Sequence, residues 1–200
     1  MGIVRSPSRR SVLASLLGPT AAALALSLGS CSNLHTVEEG RFYRSAQLDG
    51  PGFTEQIQAH GLRTVVRLRG GEPGDPGFDA EAAAAAAGNA KLVQLPMSAR
   101  RYPTRAELLA LWDTFEHGEY PMLVHCRAGA DRTSLASALY VLQRTGDLKA
   151  ARAQLALTYG HTGWGTNRLD RVLDMYGRWH GRMDFRTWVE MLYWPPGTRP

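Results

Sequence analysis

Cysteine is scarce: among 200 residues, only Cys31 and Cys126 carry thiols. A disulfide-stapled scaffold is excluded, and a chain of this length must be held by its own core. No internal repeat and no second domain are visible, so one domain with a sizeable core is expected. No grouping of His, Cys and carboxylates has metal-site spacing, and neither a metal nor another cofactor is expected. Acidic residues are missing from the first 30 positions, where Arg5, Arg9 and Arg10 stand. The formal charge of +5, from 23 Lys and Arg against 18 Asp and Glu, therefore belongs largely to that leader. Beyond it, 20 basic residues face 18 acidic ones. No basic stripe is interleaved with aromatics, and nucleic acid is not an expected partner.

The first 30 residues read as a targeting segment outside the fold. Three arginines lead an apolar stretch, residues 12–28, rich in Ala and Leu and interrupted by Gly18 and Pro19. Leu28, Gly29, Ser30 and Cys31 resemble a bacterial lipobox. That resemblance implies lipidation of Cys31, which becomes the mature N-terminus of an exported protein, anchored in a membrane and facing the periplasm or cell exterior. An ordinary signal peptide and an uncleaved anchor are the other readings. Ser8-Arg9-Arg10-Ser11-Val12-Leu13 also resembles a twin-arginine export signal. Residues 31–40 follow as a short polar tether, and residues 41–200 form the single domain.

Strand and helix signals alternate through that domain. Residues 42–47 read as a short strand ahead of a turn at Asp49-Gly50-Pro51-Gly52. A helix over 53–60 is closed by Gly61. A strand over 62–68 carries Val65 and Val66, and residues 72–77 form an acidic Gly/Pro-rich loop. An alanine-rich helix over 78–87, a strand over 91–95 and a basic loop with Arg100 and Arg101 come next. Thr104 and Glu107 have capping-box spacing, opening a helix whose core face is Leu108, Leu109, Leu111, Trp112 and Phe115. A strand over 120–125 follows. The last third is helical: 135–144 ended by Gly146, 148–159 capped by Asp147, a helix with Leu169, Val172, Leu173 and Tyr176 on one face, and 185–193. Trp164, Trp179, Trp188 and Trp194 are expected between helices, and His161 is read as a structural histidine, with a place lining the site as the alternative. The alternation predicts an α/β fold, a parallel-type central sheet flanked by helices with a helical C-terminal third. Ligands in such sheets bind beyond the carboxyl ends of the strands. Arg69, Arg100 or Arg101 and the segment after residue 125 all follow strands and can meet on that rim.

The segment after residue 125 carries the chemistry. His125 and Cys126 end an apolar run. Five residues, Arg127, Ala128, Gly129, Ala130 and Asp131, separate Cys126 from Arg132, Thr133 and Ser134. Leu135, Ala138, Leu139 and Leu142 then fall on one helical face. A cysteine facing a helix N-terminus sits in a positive field that favours its thiolate. Five residues suffice to curl the backbone around one oxyanion, with the N–H groups of 127–132 pointing inward. Gly129 relieves the steric limit at the tight turn. Arg132 supplies a planar fork for two phosphate oxygens.

These residues resemble the signature of the cysteine-dependent protein tyrosine and dual-specificity phosphatases. Strand, loop length, arginine, hydroxyl and following helix all agree. Rhodanese-like sulfurtransferases are the nearest rival, but their loops are usually shorter or lack the Arg-Thr ending. Phe42-Tyr43-Arg44-Ser45-Ala46-Gln47, then Thr64-Val65-Val66-Arg67-Leu68-Arg69-Gly70, then the Cys126 loop occur in the order of the compact atypical dual-specificity phosphatases of bacteria, fungi and plants. Gln154-Leu155 and Tyr159-Gly160-His161 are similar to bacterial members. The likeness spans about residues 40–176.

The resemblance implies a phosphatase-like fold and a monomeric phosphomonoester hydrolase acting on a phosphorylated substrate. Cys126 is implied as the nucleophile that forms a phosphocysteine, and Arg132 with the loop N–H groups of Arg127, Ala128, Gly129, Ala130, Asp131 and Arg132 as the phosphate cradle. Thr133 is implied as a hydrogen-bond donor to the Cys126 thiolate, and His125 as a support that orients the loop. Many relatives take a general acid from a separate loop, yet residues 96–103 hold no Asp or Glu. Asp131 is the alternative, as proton donor or as a loop-holding acceptor. Asp113, Asp75 and Asp79 are more distant candidates. Phosphotyrosine, phosphoserine, phosphothreonine or another phosphomonoester is the expected target, with inositol phosphates or phosphoinositides as an alternative. A non-catalytic phosphate-binding module on the same fold is the reading of another class. With Cys31 acylated and Cys126 the nucleophile, no disulfide forms.

Overall fold

A computed structural model describes residues 32–163 and 167–198. Cys31, Trp164 and the leader lie outside the described residues. Five strands form one sheet in the order β1-β2-β5-β3-β4: β1 His35–Glu38, β2 Phe42–Ser45, β3 Thr64–Arg67, β4 Lys91–Gln94 and β5 Met122–His125. The four strands β2 to β5 run parallel, and β1 is an antiparallel edge on β2. The crossovers are helical: α1 Gly50–His60, α2 Pro76–Ala87 and α3 Arg105–His117. After β5 come α4 Asp131–Thr145, α5 Leu148–Arg152, a 3-10 turn Leu157–Tyr159, α6 Asn167–Gly177 and α7 Phe185–Met191. The expected α/β architecture, with parallel strands flanked by helices and a helical last third, is what forms. Among the described residues no helix is long and apolar enough to cross a membrane.

Successive side chains of a strand face opposite sides of a sheet, and that alternation sorts the core into two layers. Phe42, Val66, Met122 and Val124 face a larger cluster with Leu108, Leu111, Leu135, Leu139, Leu173 and Trp188, from α3, α4, α6 and α7. Tyr43, Val65 and Leu123 face a smaller one with Phe53 and Ile57 of α1 and Ala84 and Ala85 of α2. β5 is buried along its whole length. It is paired on both sides, with His125 level with Ser45 of β2 and Arg67 of β3. The chain therefore leaves the end of β5 at the middle of the carboxyl rim.

Two predicted caps form as read. Thr104 Oγ1 accepts from Glu107 N–H at 3.1 Å while Glu107 Oε2 accepts from Thr104 N–H at 2.7 Å. Asp147 Oδ1 accepts from the N–H groups of Lys149 and Ala150.

Three expectations need correction. Residues 32–39 are not a tether, because β1 lies within them and Glu38 accepts hydrogen bonds from Tyr140 and Arg144 of α4. A four-residue edge strand without apolar alternation leaves little periodic signal. The helix expected over 148–159 stops at Arg152. Gln154 turns away to give both its backbone carbonyl and its side-chain oxygen to Arg44, at 3.2 Å each. Of the described tryptophans expected between helices, Trp188 is buried but Trp179 and Trp194 remain over a third exposed.

Candidate active site

The phosphate-loop candidate is built where β5 ends. Cys126 directly follows the strand and is 3% exposed. α4 begins at Asp131, so its N-terminal turn and unpaired N–H groups open toward the loop. The loop carbonyls are held from outside. Gln47 N–H donates to Arg127 O at 3.2 Å, Asn33 Nδ2 to Ala128 O at 3.0 Å, and Arg44 Nη2 to Gly129 O at 3.2 Å. A trans peptide points its carbonyl and N–H to opposite sides. Pulling those three carbonyls outward therefore turns the N–H groups of Ala128, Gly129 and Ala130 inward.

Gly129 is the tightest point. Its φ is +68°, and a Cβ there would lie 2.6–2.8 Å from backbone atoms of Ser45 and Ala46. Both the left-handed backbone and the close approach to β2 require glycine.

Arg44 anchors the outer side of the loop. It is fully buried on β2, its Nη2 also donates to Ser134 Oγ at 2.7 Å, and its guanidinium lies 3.8 Å from the centre of the Tyr159 ring. Burial lowers its pKa to about 10, partly offset by the Tyr159 and Cys126 side chains. The group stays cationic at neutral pH.

Arg132 is aimed by the neighbouring strand ends. Its Nη1 donates to Leu68 O at 3.1 Å and Met97 O at 3.2 Å, just beyond β3 and β4. Its Nε is buried and donates to no described group. A buried guanidinium N–H without a partner fits an anionic oxygen. Arg69 stands close by: burial first, then the charges of Arg67, Arg132 and Arg127, lower its pKa. Arg69 thus shares the rim, as expected. Arg101 does not, because Glu107 takes its guanidinium in two hydrogen bonds of 2.6 and 2.7 Å at the start of α3.

His125 is held from below. Its Nε2–H donates to Glu81 Oε1 at 2.7 Å, with both side chains buried. Glu81 Oε2 accepts from Arg67 and, at 3.0 Å, from Gln47 Nε2. Burial raises the Glu81 pKa, but the His125 hydrogen bond and the other partners outweigh it and the net shift is downward. Thr133 Oγ1 is buried and bonded to no described group. The bond from Thr133 to Cys126 implied by the resemblance is therefore not formed here.

Asp131 sits in a second ionic cluster. His161 Nδ1–H donates to Asp131 Oδ1 at 2.8 Å, and His161 Nε2–H donates to Asp170 Oδ1 of α6 at 2.6 Å. Two carboxylate acceptors require both ring nitrogens to be protonated. The bond to Asp131 raises the His161 pKa, burial opposes it, and Asp170 adds to the rise. The more distant acid candidates are engaged elsewhere. Asp75, before α2, and Asp79, in its first turn, accept from the N–H groups of Glu72 and Gly74 in the preceding loop. Asp113 pairs with Arg186, on a face of α3 shared with Glu116 and His117.

Arg44, Arg67, Glu81 and Asn33 were not singled out for any role from the sequence. A charged residue inside an apolar strand, or one acid before a run of alanines, is the signal that marks the first three. Asn33 carries none.

Residues 22–166 match the family described as DSP-PTPase phosphatase fused to NAD+ kinase. The chain belongs to this family of cysteine-dependent phosphatases. No sequence match occurs among curated proteins. The fold is similar to P. aeruginosa TpbA, with 22% identity, a TM-score of 0.60, and 80% of this chain and 91% of that chain covered. It is also similar to a DUF442 protein of Shewanella putrefaciens, with 19% identity, TM-score 0.57, and 76% and 95% covered. PTPMT1, solved in complex with PI(5)P, gives 15% identity, TM-score 0.53, and 72% and 97% covered.

Two outcomes follow from this geometry. Gly129→Ala should lower stability by about 2 kcal/mol or more, through strain and displacement of the loop from β2, and should abolish oxyanion binding. Urea unfolding and phosphate titration read the two effects. His161 has a folded pKa above its unfolded value of ~6.5, so its contribution is complete below that pH and fades as pH rises through the folded pKa. His161→Gln should cost about 2 kcal/mol at pH 6 and flatten the fall of the thermal midpoint above that pH. An unchanged pH slope in the variant would rule out a charged His161 as the link.

Proposed function

We propose that Cys126 is the nucleophile of a phosphomonoesterase that passes through a phosphocysteine. The observation that carries the reading is the loop after Cys126, whose three carbonyls are held from outside and which ends at Arg132, whose Nε is buried without a partner among the described residues. Cys126 Sγ attacks phosphorus as the bond from phosphorus to the leaving oxygen breaks, and a proton reaches that oxygen. Water then attacks phosphorus, loses a proton, and breaks the S–P bond to return the thiolate and inorganic phosphate. The loop N–H groups and Arg132 stabilise the equatorial oxygens in both steps.

His125, braced by Glu81, fixes the start of the loop. Thr133, in the first turn of α4, supplies a buried hydroxyl without a partner among the described residues, and its proposed role is to turn to the departing thiolate. Asp131 is the proton-donor candidate in the loop. Its bond from a charged His161 fits the loop-holding role as well.

The substrate reading is a phosphotyrosine-type monoester, supported by the family and by the likeness to TpbA, a cysteine-to-serine variant of which was solved in complex with pTyr. Arg127 and Arg132 lie close enough for their charges to act on Arg69, and that grouping of cations favours a second reading, a phosphoinositide headgroup. The lipobox-like sequence adds an anchored location: Cys31 acylated, the domain outside the cytoplasm and held at a membrane. The domain is proposed to act as a monomer.

Phosphate release from an aryl phosphate by the purified protein, beside Cys126→Ser, tests the core of this reading. The variant should lose turnover entirely and keep phosphate binding. Release at the parent rate would remove Cys126 as nucleophile. Asp131→Asn separates its two roles. A proton donor shows a loss of roughly 10²-fold or more with poor leaving groups and little loss with p-nitrophenyl phosphate; a loop-holding residue shows equal loss with both.

A further inference from the structure

The described chain starts on the catalytic rim. β1 is antiparallel to β2, with His35 opposite Arg44, so the N-terminus of β1 lies at the carboxyl end of the parallel strands. Ser32 O accepts from Ala46 N–H at 2.7 Å, directly after β2. Asn33 spans two pieces of the site: its Nδ2 donates to Ala128 O of the phosphate loop and, at 2.9 Å, to Tyr159 O. His35 Nε2–H fixes the Asn33 amide by donating to its Oδ1 at 2.9 Å, and His35 packs edge-on against Tyr159. Ser32 is directly preceded in the sequence by Cys31. An acyl chain on it would enter the bilayer at the edge of the phosphate loop, with no flexible spacer between anchor and site.

The surface around that point suits a membrane. Leu157, two residues before Tyr159, is 75% exposed, the most exposed large apolar side chain among the described residues. Ala128 and Arg127 are exposed in the loop, and Asn33 ties Ala128 O to Tyr159 O, two residues beyond Leu157. An exposed leucine and an exposed arginine on segments joined through Asn33 match the boundary between acyl chains and anionic headgroups. The exposed apolar residues Met191, Leu192 and Trp194 belong to the end of α7 and the chain after it, and are not joined to the anchor.

Resting on the lipid-anchor reading above, we propose that the rim formed by Asn33, Ala128 and Leu157 docks on the bilayer surface, so that the catalytic mouth works against the membrane rather than at the end of a tether. The bilayer is the partner, and the accessible substrates are phosphomonoesters presented within reach of its surface.

The test uses the full chain, processed in a bacterial host and reconstituted in vesicles of phosphatidylethanolamine and phosphatidylglycerol. Intact mass first shows whether Cys31 carries lipid. Amide hydrogen exchange is then compared in vesicles and in detergent. The expected result is exchange slowed several-fold at residues 33–34, 128–130 and 157–160, with residues 185–192 unchanged. A flexible Gly/Ser spacer of about 20 residues inserted between Cys31 and Ser32 should reduce that protection while leaving p-nitrophenyl phosphate hydrolysis at the parent rate. Lipid on Cys31 with an unprotected rim overturns the docking proposal alone. An unlipidated Cys31 overturns the anchor reading and docking with it, and leaves the phosphatase reading standing.

Discussion

One buried guanidinium sets the shape on which the site depends. Arg44 is a charged residue in the fully buried strand β2, and burial alone would make it costly. Much of that cost is offset by its Nη1 and Nη2 contacts to backbone and side-chain acceptors in three different segments: Gly129 of the loop, Ser134 of α4 and Gln154 after α5, with Tyr159 over its face and only Nε left without a partner among the described residues. Those contacts convert a strand residue into a clamp on the outside of the loop. The loop then presents its N–H groups inward without needing any side chain inside the cup. The truncation of α5 and the 3-10 turn at Tyr159 follow from the same clamp, since residues 153–159 must reach Arg44.

Two further ionic clusters fix the ends of the loop. Arg67, Glu81 and His125 hold its start from within the smaller core, and Asp131, His161 and Asp170 hold its end against α6. Removing one member of such a cluster strands the others' charges, which costs more than the cluster's net contribution to stability. Their value lies in fixing geometry: each ties an element far along the chain to one side of a six-residue cradle. The carbonyls of Leu68 and Met97 do the same for Arg132, from the ends of β3 and β4.

Much of this was legible in the sequence because the residues that make the loop are contiguous. The strand, Cys126, the spacing to Arg132, Gly129 and the apolar face of α4 are read from one stretch. Caps at Thr104 and Asp147 were legible for the same reason, being local hydrogen bonds. What could not be read were the bonds made across the sheet. Arg44 and Arg67 look like interruptions of apolar strands, and their partners are 85 and 14 residues away. Glu81 heads a run of alanines and gives no sign that it points inward to His125. His161 reads as structural, with a place at the site as the alternative; it is buried, and it joins the loop to α6, a pairing no local pattern reveals. β1 escaped because an edge strand of four mixed residues has no period to detect.

The position of β1 closes a ring through the molecule. The loop runs into α4; Tyr140 and Arg144 of α4 bond Glu38; Glu38 ends β1; and Asn33, just before β1, returns to the loop at Ala128. A chain closed on itself in this way opens as a unit. Fraying of β1 from the sheet edge releases the Ala128 carbonyl at the same moment, so this segment cannot loosen independently of the cradle. The outermost strand, the part of a sheet usually least protected, therefore shares its opening energy with the loop around Cys126.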